Sequence, residues 1–302
     1  MPSSPRTSWL AVDSTALYLR EVGSGPPIIV LHGGPDFDHS YLLPDLDRLA
    51  DGYHLIYYDQ RGRGRSATGV RPEDVSFASD VDDVLRVVDH LGAGPVSLLG
   101  HSWGALLALA AAMHAPARVA RLILLDPAPA SALDLTVSRT SYLASLGSAA
   151  EEQQAIIASA AYQGGDPAAT LARYRIHFQH ASPAAAAVDR VLASLEQAFE
   201  RQGPDGIRLA QAIEARLLAE TWDDDRFDLI ERARGLHVPT SIIMGAQDLI
   251  PIEVGRRLAD AIPEARLVLL ESCGHFSYLE RPDEVRRAID ELFALRPNEG
   301  AR

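Results

Sequence analysis

Gly100-His101-Ser102-Trp103-Gly104 sets a serine between two glycines, at the junction of an apolar run, 96–99, and a small-residue helical stretch, 103–114. On a sharp strand-to-helix turn such glycines permit close backbone approach and lift the hydroxyl into the open. The helix start also points free amides at charge developing on a substrate oxygen. This is a layout for nucleophilic attack on a carbonyl. A serine then needs a base of near-neutral pKa that is oriented by a carboxylate. Of the ten histidines, His275 has the best context, because it follows the run 267–270 by the short segment Glu271-Ser272-Cys273-Gly274 and precedes the last helix. Asp248 stands in the same way beyond the run 240–244, within Gly245-Ala246-Gln247-Asp248-Leu249-Ile250-Pro251. Asp126, after 121–125, competes for the acid role, although its Asp-Pro context favours capping of a turn. His32-Gly33-Gly34-Pro35 follows the run 27–31 and can aim an amide at the same carbonyl. The expected oxyanion donors are therefore the Gly34 and Trp103 N–H groups, with His32 supporting the loop.

The elements that must position these residues are legible from periodicity. Residues 8–12 and 15–21 resemble two strands joined near Asp13-Ser14, and 27–31, 54–58, 95–99 and 121–125 are short apolar strands. Leu42, Leu43, Leu46 and Leu49 have helical spacing, and 78–91 forms an amphipathic helix. Continuous apolar strands alternating with helices indicate a mostly parallel sheet covered on both faces. The rhythm stops after Pro127-Ala128-Pro129. Residues 131–224 are alanine-rich and helical, punctuated by Gly164-Gly165, Ser182-Pro183 and Gly203-Pro204-Asp205-Gly206. Strand, helix, strand, helix then resume at 240–244, 252–261, 267–270 and 283–294. The expectation is one core, 1–130 plus 225–302, with an inserted helical cap, 131–224.

The chain has 302 residues, 47% hydrophobic and 23% charged, with a formal net charge of -13. That composition is ordinary for a globular protein, and the charge disfavours nucleic acid and anionic membranes as partners. The basic residues are all arginine, and Arg61, Arg63 and Arg65 are expected to form a small basic patch. They lie in Asp59-Gln60-Arg61-Gly62-Arg63-Gly64-Arg65-Ser66, read as a tight loop at the rim of the site and braced by an Asp59–Arg61 ion pair. It lacks the spacing of a phosphate loop. The one cysteine, Cys273, reads as a small side chain packed at a strand end. The remaining histidines show no spacing for a metal site. Neither a signal sequence nor a membrane span is visible, and a cytoplasmic protein is the default expectation.

Together these motifs resemble the α/β-hydrolase superfamily across essentially the whole chain. Within it, His-Gly-Gly-Pro at 32–35, the loop 59–66 and Gly-His-Ser-Trp-Gly-Ala-Leu-Leu-Ala-Leu at 100–109 are most similar to the proline iminopeptidase group. The resemblance implies an eight-stranded, mainly parallel sheet, the order Ser102, Asp248, His275, and removal of N-terminal residues, proline above all, from short peptides. No metal, nucleotide or organic cofactor is implied. Two departures stand out. Asp36 replaces the glycine that usually follows His-Gly-Gly-Pro, and 131–224 lacks the Trp-Glu pair that contains one of the cap glutamates with which the group holds a substrate amino group. Glu196, Glu200, Glu214 and Glu220 are candidate substitutes, and Trp222-Asp223 closes the segment. A carboxylesterase or lactonase acting on a small natural product is the alternative, and a slow-turnover ligand-binding protein is a further one.

Overall fold

The computed structural model describes residues 4–295. Strands β1 (Arg6–Val12) and β2 (Thr15–Gly23) form the expected hairpin, with Val12 opposite Thr15. The chain continues through β3 (Pro27–Leu31), β4 (His54–Tyr58), α1 (Phe77–Leu91), β5 (Val96–His101), α2 (Trp103–His114) and β6 (Val119–Leu125). Five helices follow: α3 (Ala132–Leu146), α4 (Ala149–Ala158), α5 (Ala160–Gln163), α6 (Pro167–Phe178) and α7 (Ala185–Glu220). The chain ends in α8 (Ile230–Ala233), β7 (Thr240–Gly245), α9 (Ile252–Ala261), β8 (Ala265–Leu270), α10 (Ser277–Glu280) and α11 (Pro282–Ala294). Among the described residues, no helix is long and apolar enough to cross a membrane.

The eight strands lie in the order β1-β2-β4-β3-β5-β6-β7-β8, parallel from β4 to β8 with β1 and β2 added antiparallel. Central strands are apolar on both faces because both faces are covered. Ile29, Leu31, Leu98, Leu124 and Ile242 join the core on one side, with α1 and α2. Their neighbours Ile28, Val30, Leu99, Ile123 and Ile243 point the other way, toward α11, α6 and α7. That alternation is the period-2 geometry of a strand. β3 pairs with β4 on one side and β5 on the other. The winding of the sheet therefore reverses between β3 and β5, which leaves a crevice beyond their C-terminal ends.

The helical insertion is pinned where it leaves and rejoins the core. Leu229 N–H donates to Ala130 C=O at 2.9 Å, and Ala132 N–H donates to Phe227 C=O at 3.0 Å. Ser131 caps α3 by accepting from Asp134 N–H. α7 is bent at Gly203 (φ 64°), directly before Pro204, whose missing N–H and ring break the helical ladder.

Three local expectations are corrected. Leu42–Leu49 do not share one helix: 3-10 turns His39–Leu42 and Leu46–Asp51 are separated by Leu43-Pro44, since the residue before a proline is driven to extended backbone. Arg61, Arg63 and Arg65 form no basic patch. Arg63 is wholly buried and paired with Asp80, Arg61 is paired with Asp83 and Asp13, and the Arg65 guanidinium lies 4.8 Å from the centre of the Tyr18 ring. Asp59 does not pair with Arg61 either. It meets His39 Nδ1 at 2.5 Å and Arg65 N–H at 2.9 Å. The loop 59–66 is thus a buried buttress, with Arg63 donating to Pro35 C=O at 2.9 Å behind the His32–Pro35 turn.

Because Arg63 and Asp80 are both fully buried, removing one strands the other's charge. Arg63→Met should lower unfolding stability by roughly 3–5 kcal/mol, read from the urea midpoint. An unchanged midpoint would contradict this account of the pair.

Candidate active site

Ser102 lies between β5 and α2, as the N-cap of the helix, with φ 53° and ψ −118°. A non-glycine residue there is strained by about 1–3 kcal/mol and persists only where its surroundings over-determine it. The surroundings do so through packing. A Cβ on Gly104 would overlap the Leu31 and His32 carbonyl oxygens, so glycine lets α2 press against the end of β3. Ser102 N–H donates to Leu125 C=O at 3.0 Å, which fixes the turn from the β6 side.

The other predicted residues converge on this hydroxyl. His275 Nε2 lies 3.1 Å from Ser102 Oγ, and Nδ1 lies 2.9 and 3.1 Å from the two Asp248 carboxylate oxygens. The acid and base loops are joined by their backbones, Gln247 N–H donating to Cys273 C=O at 2.8 Å and Ala246 N–H to Leu270 C=O at 2.9 Å. Burial works against protonation of His275. The charge and hydrogen bond of Asp248, helped by Asp126 and Glu280, outweigh it and hold the ring above its ordinary pKa. Cys273 is buried and its thiol is pushed up by burial, as suits a packing residue.

Gly34 has φ 124°, and a Cβ there would crowd the Asp36 and Phe37 amides. It lines the pocket beside Ser102. Trp103 is the first residue of α2, so its amide has no partner within the helix. Among the described residues neither amide has a protein acceptor. His32 supports the turn as expected: Gln60 N–H donates to its Nε2 at 3.0 Å, and burial takes its pKa down to about 4.

Two supports have no signature in the sequence. Gly33 N–H donates to the Tyr41 hydroxyl (2.8 Å), which donates to His101 Nδ1 (2.7 Å), and His101 Nε2–H donates to His275 C=O (2.8 Å). Burial, then the neighbouring His275, takes the His101 pKa down to about 3, which keeps the ring neutral as this directionality requires. One chain of side chains therefore joins the His32–Pro35 turn, the serine turn and His275. The position of His101 beside Ser102 was the only available hint. Asp126 is not the partner of His275, nor does it cap its own turn. Its carboxylate accepts from Gly245 N–H (3.1 Å) and Ser277 N–H (3.0 Å), bracing the ends of β7 and α10. Burial, then the charge of Asp248, raises it to about 7.

Above Ser102 lies a cavity of about 250 Å³ between the core loops and α3, α6 and α7. Its wall is mainly aromatic and aliphatic, with Phe37, Tyr142, Phe178, Leu218, Trp222 and Phe276 prominent. Of the four candidate cap glutamates only Glu214 reaches it. Arg173 donates to Glu214 at 3.3 Å and to the Tyr174 hydroxyl at 2.6 Å, and Tyr174 donates to Asp36 at 2.5 Å. Asp36 is buried, and burial followed by the charge of Glu214 raises its pKa to about 7. Glu196 and Glu200 border a separate surface hollow, and Glu220 accepts from Phe77 N–H.

Residues 26–282 match the family model described as alpha/beta hydrolase fold. The chain is 28% identical to the proline iminopeptidase of Lactobacillus helveticus over 91% of its own length and 92% of that protein's. In fold it is similar to the crystal structure of proline iminopeptidase from Mycobacterium smegmatis (TM-score 0.70, 22% identity, covering 95% and 98% of the two chains). The enol-lactonase from Burkholderia xenovorans LB400 is similar too (TM-score 0.63, 24% identity, 95% and 100%).

Tyr41→Phe keeps the ring but leaves the Gly33 amide and His101 Nδ1 without their shared partner. Because small displacements of reacting groups are costly, kcat on a short-chain aryl ester should fall on the order of 10- to 100-fold with little change in KM. A wild-type kcat in that variant would show that the chain does not position the site.

Proposed function

The chain belongs to the alpha/beta hydrolase family, and we propose that it is a serine hydrolase that cleaves small esters or amides through an acyl-enzyme. The observation that carries this reading is the continuous hydrogen-bonded line from Asp248 through His275 to Ser102 at the floor of the pocket. His275 Nε2 takes the Ser102 proton as Oγ attacks the carbonyl carbon. Nδ1–H, held by Asp248, fixes the tautomer, and the carboxylate stabilises the imidazolium. The Gly34 and Trp103 amides receive the oxyanion, where loss of one donor typically costs about 2.7–4 kcal/mol of transition-state stabilisation. The imidazolium returns its proton to the leaving alcohol or amine as the acyl bond to that group breaks. A water deprotonated by His275 then attacks the acyl carbon, releasing the acid and restoring Ser102. Helices 131–224 act as a cap that limits substrate size and excludes water.

Two substrate readings follow. Removal of an N-terminal residue is supported by the likeness to proline iminopeptidases and by Glu214 in the pocket wall. An ester or lactone is favoured by the pairing of Glu214 with Arg173, which compensates the charge that a substrate ammonium would need.

The test compares a free-amino proline anilide, its N-blocked counterpart and a short-chain aryl ester, each with wild type and Ser102→Ala. Ser102-dependent preference for the free-amino anilide supports the peptidase reading, and ester turnover without either anilide supports the other. Turnover that survives Ser102→Ala overturns both. The pH profile gives a second check. Since the His275 pKa is raised, kcat/KM should rise with pH through an apparent value above that of an ordinary histidine. Asp248→Asn removes the attraction and leaves burial unopposed by it, so the midpoint should move down while kcat falls on the order of 10⁴-fold. A midpoint unmoved by Asp248→Asn would contradict the assignment.

A further inference from the structure

Helix α3 presents Leu135, Ser138, Arg139 and Tyr142 to the pocket, at the i, i+3, i+4, i+7 spacing of one helix face. Two of these four, the buried Ser138 and the exposed Arg139, are polar groups without a partner in the protein. Ser138 is 7% exposed, and its hydroxyl is buried without a hydrogen-bond partner. Its neighbours behave differently. Thr136 and Thr140 each return their hydroxyl to the carbonyl four residues back, at 3.0 and 2.8 Å, the usual resolution for such a side chain in a helix. Arg139 makes no ion pair or hydrogen bond with any described residue, although it lies in an acidic chain in which most arginines are paired. The other charges facing the cavity cancel: Arg173 is bound to Glu214, and His177 is kept neutral, its pKa taken down to about 3 by burial and then by Arg173. Asp36 stands behind Tyr174, which donates to it. Arg139 is thus the unpaired cation at the pocket wall, one position from an unpartnered hydroxyl donor.

Resting on the serine hydrolase reading, we propose that this face of α3 is a carboxylate subsite: the substrate carries a carboxylate separated by an apolar segment from the carbonyl that Ser102 attacks. A carboxylate has two oxygens, one for the planar guanidinium and one for the hydroxyl. The apolar wall of the cavity accommodates the segment between. A substrate with an ammonium at that end would meet Arg139 as a like charge.

The test is the ratio of kcat/KM for 4-nitrophenyl hydrogen glutarate to that for its methyl ester, which differ only in the remote carboxylate. Wild type should prefer the anionic ester roughly 5- to 50-fold, and the preference should shrink as salt is raised. Ser138→Ala should lower the ratio several-fold, and Arg139→Glu should invert it. The ratio is internal to each variant, so a loss of folded protein does not alter it. A wild-type ratio near one, or a ratio unmoved by Arg139→Glu, overturns the proposal. Should neither ester be hydrolysed, the hydrolase reading itself is in question and the subsite is decided by binding. Monomethyl glutarate titrated into Ser102→Ala protein by calorimetry should bind, and bind more weakly once Arg139→Glu is added. Absence of binding, or equal binding in both, overturns the subsite.

Discussion

Ser102 occupies a backbone conformation that an L-residue avoids, and the core of the molecule is arranged so that it cannot leave it. The turn has to expose a hydroxyl above the C-terminal edge of the sheet while β5 and α2 run back almost against one another. Glycine at 104 makes the approach possible, since any side chain there would collide with the carbonyls ending β3. A helix pressed this closely must itself be apolar all round, and α2 is buried over most of its length. Reversal of the winding between β3 and β5 then brings the His32–Pro35 turn beside the serine without further device. The strain at one residue is therefore balanced by the packing of the parallel strands, which is large compared with 1–3 kcal/mol.

Position within the sheet is not enough for a site whose parts come from four loops. Hydrogen bonds across those loops supply the rest, and nearly all of them are buried, where an unmade bond is expensive. Tyr41 and His101 connect the oxyanion turn to His275, and Asp126 ties the strand end before Asp248 to the helix after His275. The insertion takes part as well: His275 N–H donates to Ala181 C=O at 2.6 Å. His275 is thus held both by the core and by the segment between α6 and α7.

This division explains what could be read from the sequence. The eight strands, the hairpin at Asp13-Ser14 and the helical stretch after β6 follow from periodicity, because burial on one face or two leaves a repeat in the residue types. Ser102, Asp248 and His275 were legible because each stands just past a strand end, where the fold exposes side chains. Tyr41 was not legible, since an aromatic among leucines looks like core until its hydroxyl is seen between Gly33 and His101. The arginines of 59–66 misled for a related reason. Composition counts a charge but not its partner, and Asp80 and Asp83 lie on α1, across a contact that no local pattern encodes. The leucines at 42–49 kept helical spacing while Pro44 forbade the helix.

Asp36 takes part in how the pocket wall carries charge. The line runs from Glu214 on α7 to Arg173, to the Tyr174 hydroxyl on α6, and ends on the Asp36 carboxylate, two residues from Gly34. Each donor in that line is matched to an acceptor, so Arg173 and Glu214 are committed to holding the insertion against the oxyanion turn. A glycine at 36 would leave the Tyr174 hydroxyl without its acceptor there. With Asp36 present, burial and Glu214 push its own carboxyl up to about 7. Charge compensation inside the line leaves Arg139, exposed and outside it, as the cation at the pocket wall that has no ion pair among the described residues.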